Sequence, residues 1–257
     1  MASRAPIPTS PPVVDPARIA RWRTDWDAVM ARFVPGLAGF EAALFAAAEA
    51  VRRGAPGGVL DVGGGPGVLA ERMARRWPRA RVGLLDLDPV LLALAGVAVS
   101  ESVTLLEGDL AGPSWLSAAR RHAPYDVVTV VMTMHYLPEE RARALYREAR
   151  TVLAPGGLLV VADLMPDDGL SSVMAAMPSI VDEAAAELAW AGWWSEVTGT
   201  PALAPLVRDR RTLFAARATA EFTPDAAWHL AQARAAGFAE AGILWRCGRH
   251  AAVAAVA

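Results

Sequence analysis

Gly58-Val-Leu-Asp61-Val-Gly63-Gly-Gly65-Pro-Gly67 passes from a run of apolar residues straight into a glycine-packed turn, and apolar positions then return at Leu69, Met73 and Trp77. The first half has the length and composition of a short buried strand, and the returning positions have the spacing of a helix. Glycines at such a passage let the chain turn sharply and leave backbone bare where a side chain would keep a ligand away.

The same rhythm continues on both sides of this stretch. Residues 81–85 form an apolar strand ending on Asp86 and leading to a helix through about Val99; 103–107 and 126–132 read as further strands. A helix over 138–153 runs through Pro155-Gly156-Gly157 into a fifth strand, 158–163. A late helix over 223–236 takes Thr223 as N-cap, Pro224 as its first residue and Gly237 as its stop, and strands at 239–246 and about 251–256 are close enough to pair as a hairpin. Upstream, Ile19, Trp22, Trp26, Met30 and Phe33, then Phe40 and Leu44, mark two helices broken near Pro35-Gly36. Nearly uniform apolar strands alternating with helices predict a Rossmann-like, doubly wound α/β sheet. Seven strands, mostly parallel, end in the antiparallel hairpin. The chain divides into a flexible proline-rich tail (1–14), an N-terminal helical cap (15–54), an α/β core in two pieces (55–163 and 223–257) and an insert between them (164–222). The βα rhythm stops in that insert, and a structureless loop of such length is improbable, so it reads as a helical lid broken at Pro178, Gly199-Thr200-Pro201 and Pro205.

Composition narrows the function. Of 257 residues 54% are hydrophobic and 20% charged, which fits a large buried core, and the net charge of −2 offers no basic face for nucleic acid. Every basic side chain is arginine, so lysine chemistry is absent. A single cysteine, Cys247, excludes an intrachain disulfide and a cysteine-built zinc site, and packs on a C-terminal strand. No apolar run approaches the roughly 18 residues of a membrane span. Pro6, Pro8, Pro11 and Pro12 stand where a signal peptide would be apolar, so the expectation is a cytoplasmic protein, monomer or homodimer, without a membrane partner.

Ligands of a doubly wound sheet sit beyond the carboxyl ends of its strands. Those ends carry the glycines, Asp86, Asp109 and His135. Asp86 follows the loop by about 20 residues, where a carboxylate can accept ribose hydroxyls. Dinucleotide binders require G-x-G-x-x-G, whose last position here is Val68, and the Tyr-x-x-x-Lys pair of many nicotinamide enzymes is missing. Gly63, Gly65 and Gly67 preceded by Asp61 instead resemble the first motif of class I S-adenosylmethionine-dependent methyltransferases. The resemblance extends over 58–163 and again over 223–246. It implies S-adenosylmethionine as cofactor: Gly63 and Gly65 against its methionine part, Asp61 supporting the loop, Asp86 on the ribose with Leu87 beside the adenine, Asp109 of Gly108-Asp109-Leu110 on the adenine amino group, and Met132 in contact. Met134-His135-Tyr136-Leu137-Pro138 and Ala154-Pro155-Gly156-Gly157 are similar to the small-molecule, ubiquinone- and natural-product-type branch. Asp88, where a small polar residue is more usual, and the long insert depart from the pattern. Taken singly, Asp61, Asp86 and Asp109 are also ordinary turn- or helix-capping acids; their order at successive strand ends favours the ligand reading.

Methyl transfer from a sulfonium is an in-line displacement and needs a base only if the acceptor arrives protonated. His135, just beyond the fourth strand, is the candidate base, since imidazole titrates near neutrality; the alternative is that it positions substrate. Tyr136 offers a hydroxyl, and Asp163, ending the fifth strand, can orient substrate or His135. Trp26 on the cap and Trp193 and Trp194 in the insert either pack a core or line an apolar or aromatic acceptor pocket. Arg21 or Arg23 is placed to reach the methionine carboxylate. His122 reads as solvated, His229 as packed, and His250 as part of the last hairpin turn. Asp163, Asp167 and Asp168 lie close in sequence with no histidine at ligand spacing, so no metal is expected. The function expected is O- or N-methylation of a small apolar or aromatic metabolite. The alternatives are a protein that binds the cofactor without methylating, as cyclase or regulator, and a nicotinamide-dependent oxidoreductase.

Overall fold

The computed structural model describes residues 14–166, 168–176, 181–215, 217 and 220–257. Asp167, Pro178 and the four N-terminal prolines lie outside the described residues. Two helices come first: α1 (Pro16–Phe33), capped by Asp15 through Ala17 N at 2.9 Å, and α2 (Leu37–Arg52). They meet at 97°, and Gly36 between them takes φ 75°. Five βα steps follow: β1 (Gly58–Val62), α3 (Val68–Arg76), β2 (Arg81–Asp86), α4 (Pro89–Ala98), β3 (Val103–Glu107), α5 (Ser114–Arg120), β4 (Tyr125–Val131), α6 (Glu139–Arg150) and β5 (Leu153–Leu164). The insert supplies α7 (Ser171–Ala176), α8 (Glu183–Thr198) and α9 (Ala204–Ala215); α10 (Ala226–Ala235), β6 (Glu240–Cys247) and β7 (His250–Val256) close the chain.

The strands form one seven-stranded sheet in the order β3-β2-β1-β4-β5-β7-β6. β1 to β5 are parallel, and β7 runs antiparallel between β5 and β6. The α/β class, the mostly parallel sheet and the terminal hairpin are therefore as the apolar pattern predicts. Alternate strand residues serve opposite faces: Leu60, Val62, Val128 and Val130 join one core, and Val59, Val127 and Val160 join the other. With both faces covered, each strand must be apolar throughout, which is why β1 is buried at every position. β1 pairs with both β2 and β4, so the sheet reverses its winding between β1 and β4, and the crevice at their carboxyl ends is where a ligand fits.

A third core joins cap and lid over α4. Ile19, Trp22 and Val29 of α1 pack with Leu94 of α4 and with Trp193, Leu206 and Val207 of the insert. Among the described residues no single helix is long and apolar enough to cross a membrane.

Three local expectations need correction, and one helix went unread. The N-cap of α10 is Asp225, which accepts from Trp228 N at 2.6 Å; Pro224 precedes the cap, so the helix starts two residues later than the Thr223 reading. Pro205 does not break the insert but sits in the first turn of α9, where its missing N–H has no intrahelical partner to lose. His250 opens β7 and is buried, the turn being Gly248–Arg249. Helix α5 carries no pattern long enough to be read in sequence, since it spans one short stretch after Pro113.

Candidate active site

The glycine loop is fastened to the neighbouring strand by backbone. Gly63 N and Gly64 N both donate to Leu85 O, at 2.7 and 3.2 Å. Gly63 takes φ 71°, and a Cβ there would collide with the Thr133 side chain. Gly65 takes φ 55°, and a Cβ there would stand 3.1 Å from the Trp26 ring of the cap. Both positions demand glycine for conformation and for space.

Asp61, in β1 beneath the loop, accepts from Thr129 Oγ1 at 2.7 Å through Oδ1. Its Oδ2 is buried without a hydrogen-bond partner among the described residues. Burial, with a further push from Asp86, raises the carboxyl to about 7 despite the Thr129 bond. A buried carboxylate oxygen with no donor is costly, so this atom marks a place where a donor belongs.

Asp86 ends β2 and binds the loop back to the strand: Oδ2 accepts from Gly65 N at 2.8 Å, and Oδ1 from Leu87 N and Asp88 N at 2.7 and 2.8 Å. Oδ1 is therefore saturated, whereas Oδ2 keeps one lone pair. Where the sequence reading gives Asp86 both ribose hydroxyls, the geometry leaves room for one. Asp88 caps α4 through Val90 N at 2.9 Å and turns its other oxygen to Arg210 of α9 at 2.5 Å. The residue that departs from the expected pattern thus fastens the lid. Asp109, two residues beyond the β3 position paired with Asp86, is gripped from the lid as well. Arg217 reaches both its oxygens, Nη1 to Oδ1 at 3.0 Å, while Ala111 N donates at 2.8 Å. Burial alone would raise this carboxyl, but Arg217 and the Ala111 N–H hold it below its usual range. Leu87 is half-buried and Leu110 buried beside these acids. Met132, after β4, has φ 48° and is held by Met132 N to Ala162 O at 2.8 Å.

His135 and Asp163 meet at the ends of β4 and β5. His135 Nδ1 lies 2.7 Å from Asp163 Oδ1, with the side chains 15% and 2% exposed. Asp163 also accepts from Met134 N at 2.9 Å, His135 N at 3.2 Å and Leu164 N at 2.8 Å, so its orientation is set by backbone. A carboxylate so engaged receives the Nδ1 proton, which leaves Nε2 as the acceptor nitrogen of the ring. Tyr136 sets its ring 4.0 Å from that of His135, tilted by 48°, and is 59% exposed.

The aromatic candidates separate. Trp26 lines a cavity of about 110 Å³ that reaches Asp61, Gly63, Gly65 and Met132. Trp193 donates to Trp22 O at 2.8 Å inside the cap–lid core. Trp194 is half-buried and carries the Arg210 guanidinium 3.9 Å over its ring. The arginine candidates go elsewhere than expected. Arg21 pairs outward with Glu196 at 2.7 Å, and Arg23 gives its donors to the carbonyls of Pro66, Gly67 and Ala98, bracing the end of the loop. His229 is buried with Nδ1 2.8 Å from Tyr146 Oη, and burial lowers it to about 4.

Sequence reasoning missed Asp27, Glu41 and Arg72, which line the same cavity. Arg72 pairs with Asp27 at 2.6 Å and with Glu41. It also missed the two lid arginines, Arg210 and Arg217. An arginine one turn into the helix after the glycine loop is a faint signal for the first group; nothing local in the chain announces the second.

This crevice, with a backbone-lined glycine loop and acids on successive strand ends, defines a nucleoside-binding α/β domain of the methyltransferase type. Residues 59–157 match the family model described as a methyltransferase domain. Malonyl-(acyl-carrier protein) O-methyltransferase of Hahella chejuensis is 32% identical over 119 residues, 44% of this chain and 39% of that protein. Ubiquinone biosynthesis O-methyltransferase of Xanthomonas campestris pv. campestris is 34% identical over 116 residues, 45% of this chain and 46% of that one. The chain thus spans less than half the length of these curated relatives. Among solved structures, PigF with SAH superposes with a TM-score of 0.58 at 17% identity, over 95% of this chain and 60% of that one. Residues 59–157 are thus a methyltransferase domain, set in a sheet whose fold is that of solved methyltransferase structures.

Proposed function

We propose that this protein binds S-adenosylmethionine along the glycine loop and transfers its methyl group to an oxygen or nitrogen of a small apolar or aromatic acceptor. The observation that carries the reading is the His135–Asp163 pair, 2.7 Å apart, at adjacent strand ends beside the loop. The residues fit the cofactor on three counts. Asp61 Oδ2 lacks a donor, Asp86 Oδ2 keeps a lone pair for one hydroxyl, and backbone is exposed at Gly63 and Gly65 where a Cβ has no room. Asp109 Oδ2 likewise keeps a lone pair beside Arg217 for an amino donor. When bound, the cofactor supplies an electrophilic methyl on a sulfonium. The chain's part is to align the acceptor, exclude water and take a proton from it where it arrives protonated. Asp163 holds the His135 ring, and Nε2 receives the proton. Tyr136, Leu188 and Phe214 are large apolar side chains left exposed at 59%, 76% and 38%, the last two on the lid helices, which supports an apolar or aromatic acceptor. The protein acts in the cytoplasm as monomer or homodimer, with neither nucleic acid nor membrane as partner.

The test is incubation with S-adenosylmethionine and a panel of phenols and aryl amines, reading both halves of the reaction. Methylated acceptor with stoichiometric S-adenosylhomocysteine is expected; methylthioadenosine in place of S-adenosylhomocysteine makes the protein a cyclase and overturns the reading. His135→Ala is expected to reduce turnover by about 10²–10⁴-fold while leaving cofactor affinity within about twofold. Unchanged turnover removes His135 as base.

A further inference from the structure

The cavity beneath Trp26 is small. At about 110 Å³ it falls below the roughly 300 Å³ of sites that enclose a whole drug-sized ligand, so it suits one end of a larger molecule. It is lined by the glycine loop with Asp61 and by Asp27 of α1, Glu41 of α2 and Arg72 of α3, together with Met30 and Phe40. Two of these helices belong to the N-terminal cap, upstream of the 59–157 segment that the family model matches.

The three helix-borne charged residues form an unusual group. Arg72 is shared by two carboxylates, with Nη2 to Asp27 at 2.6 Å and Nη1 to Glu41, so the group carries one surplus negative charge in a part-buried place. The side chains of Arg72, Asp27 and Glu41 are 27%, 35% and 16% exposed. Burial pushes the Glu41 carboxyl above its usual range even with Arg72 beside it. Asp61 lines the same cavity, and its Oδ2 is buried and without a donor among the described residues. A brace for three helices requires neither the surplus acid nor an unpaired oxygen in the same cavity lining. An α-amino acid meets both, since its ammonium supplies three donors and its carboxylate accepts a guanidinium fork.

We propose that Arg72, Asp27 and Glu41 seat the amino-acid end of the cofactor, Arg72 taking the α-carboxylate and the acids taking the α-ammonium. The inference rests on the methyltransferase reading above and adds that the N-terminal cap completes the cofactor site. Binding is an exchange of partners: the ligand's carboxylate relieves Arg72 of one acid, and the ligand's ammonium neutralises the acid released.

Calorimetric titration separates this from a structural brace. The two probes are S-adenosylhomocysteine and 5′-methylthioadenosine, which keeps the nucleoside and thioether and lacks the amino-acid end. The variants are Arg72→Met and the isosteric Glu41→Gln. In the unaltered protein S-adenosylhomocysteine is expected to bind about 100-fold tighter than methylthioadenosine. Arg72→Met should weaken S-adenosylhomocysteine by at least about tenfold, and Glu41→Gln by about threefold or more, with methylthioadenosine changed less than about twofold in both. Equal losses for the two probes, or undiminished S-adenosylhomocysteine binding, overturn the proposal. Should Arg72→Met fail to fold, Glu41→Gln carries the same comparison. Failure of the unaltered protein to bind either probe is a different result, because it strikes the methyltransferase reading itself.

Discussion

On the β1–β4–β5 side of the site, Asp61 and Asp163 find their partners, Thr129 and His135, within the α/β core. On the β2–β3 side, Asp88 and Asp109 find theirs, Arg210 and Arg217, on the lid. The same residue type at the same kind of strand end serves two purposes. The two core-held carboxylates take side-chain partners from β4 and the turn after it, as chemistry at one atom requires. The other two carboxylates take arginines from the 164–222 insert, so their partners are set by how that segment packs on the sheet. The two sides should therefore respond differently to substitution, pH and salt.

The largest effect belongs to the core side. Asp163→Asn keeps the shape but leaves one acceptor oxygen; held by the Met134 and His135 N–H groups, it turns an amide NH2 toward His135 Nδ1, and single-turnover methyl transfer should fall by about 10²–10⁴-fold with S-adenosylhomocysteine affinity retained. A parallel loss of affinity would recast Asp163 as a structural strut for the 134–136 turn. Asp61 comes next, through stability. Its carboxyl is raised to about 7 by burial, from the usual carboxylate range in the unfolded chain. The folded protein binds the extra proton between these values, so this residue's contribution is full at low pH and is lost as pH rises towards 7, on the order of a few kcal/mol. Asp61→Asn should flatten that fall in a pH series of urea unfolding curves.

How much of this was legible in the chain follows the same division. β1 to β5 are apolar at nearly every position because helices cover both faces, and that pattern survives in one dimension. Hence the strands, the glycine loop and the order Asp61, Asp86, Asp109, His135, Asp163 could be read directly. The partners of Asp86 were not readable, because its bond to Gly65 N depends on how the loop folds back onto β2. Arg23, placed by the sequence to reach the methionine carboxylate, is spent on three carbonyls; Arg72, which the sequence did not single out, stands in the cavity lining. Arginines reach far on flexible stems, so their partners are set by how the helices of cap and lid come to rest against the sheet. Trp193 illustrates the same point: its spacing offered a pocket or a core, and its indole N–H settles into the cap–lid core on Trp22 O.

The smallest effect is the sharpest probe of the comparison, because the lid side contains two unequal latches. Arg210 meets an Asp88 side chain only 4% exposed, whereas Arg217 meets an Asp109 side chain 31% exposed. Removing Arg210 strands a buried carboxylate with only the α4 N–H groups, and Arg210→Ala should cost roughly 1.5–3 kcal/mol. Removing Arg217 leaves a carboxylate that water can reach, and Arg217→Ala should cost less than about 1 kcal/mol. Salt separates them further. At 1 M salt the screening length falls to about 3 Å, which weakens the exposed pair and reaches the buried one far less. Urea unfolding at low and high salt should therefore show the Arg217→Ala deficit vanishing and the Arg210→Ala deficit persisting. If both deficits vanish together, Asp88 is as wet as Asp109, and the lid is held by packing of Trp193, Leu206 and Val207 on α1 and α4 instead of by its arginines.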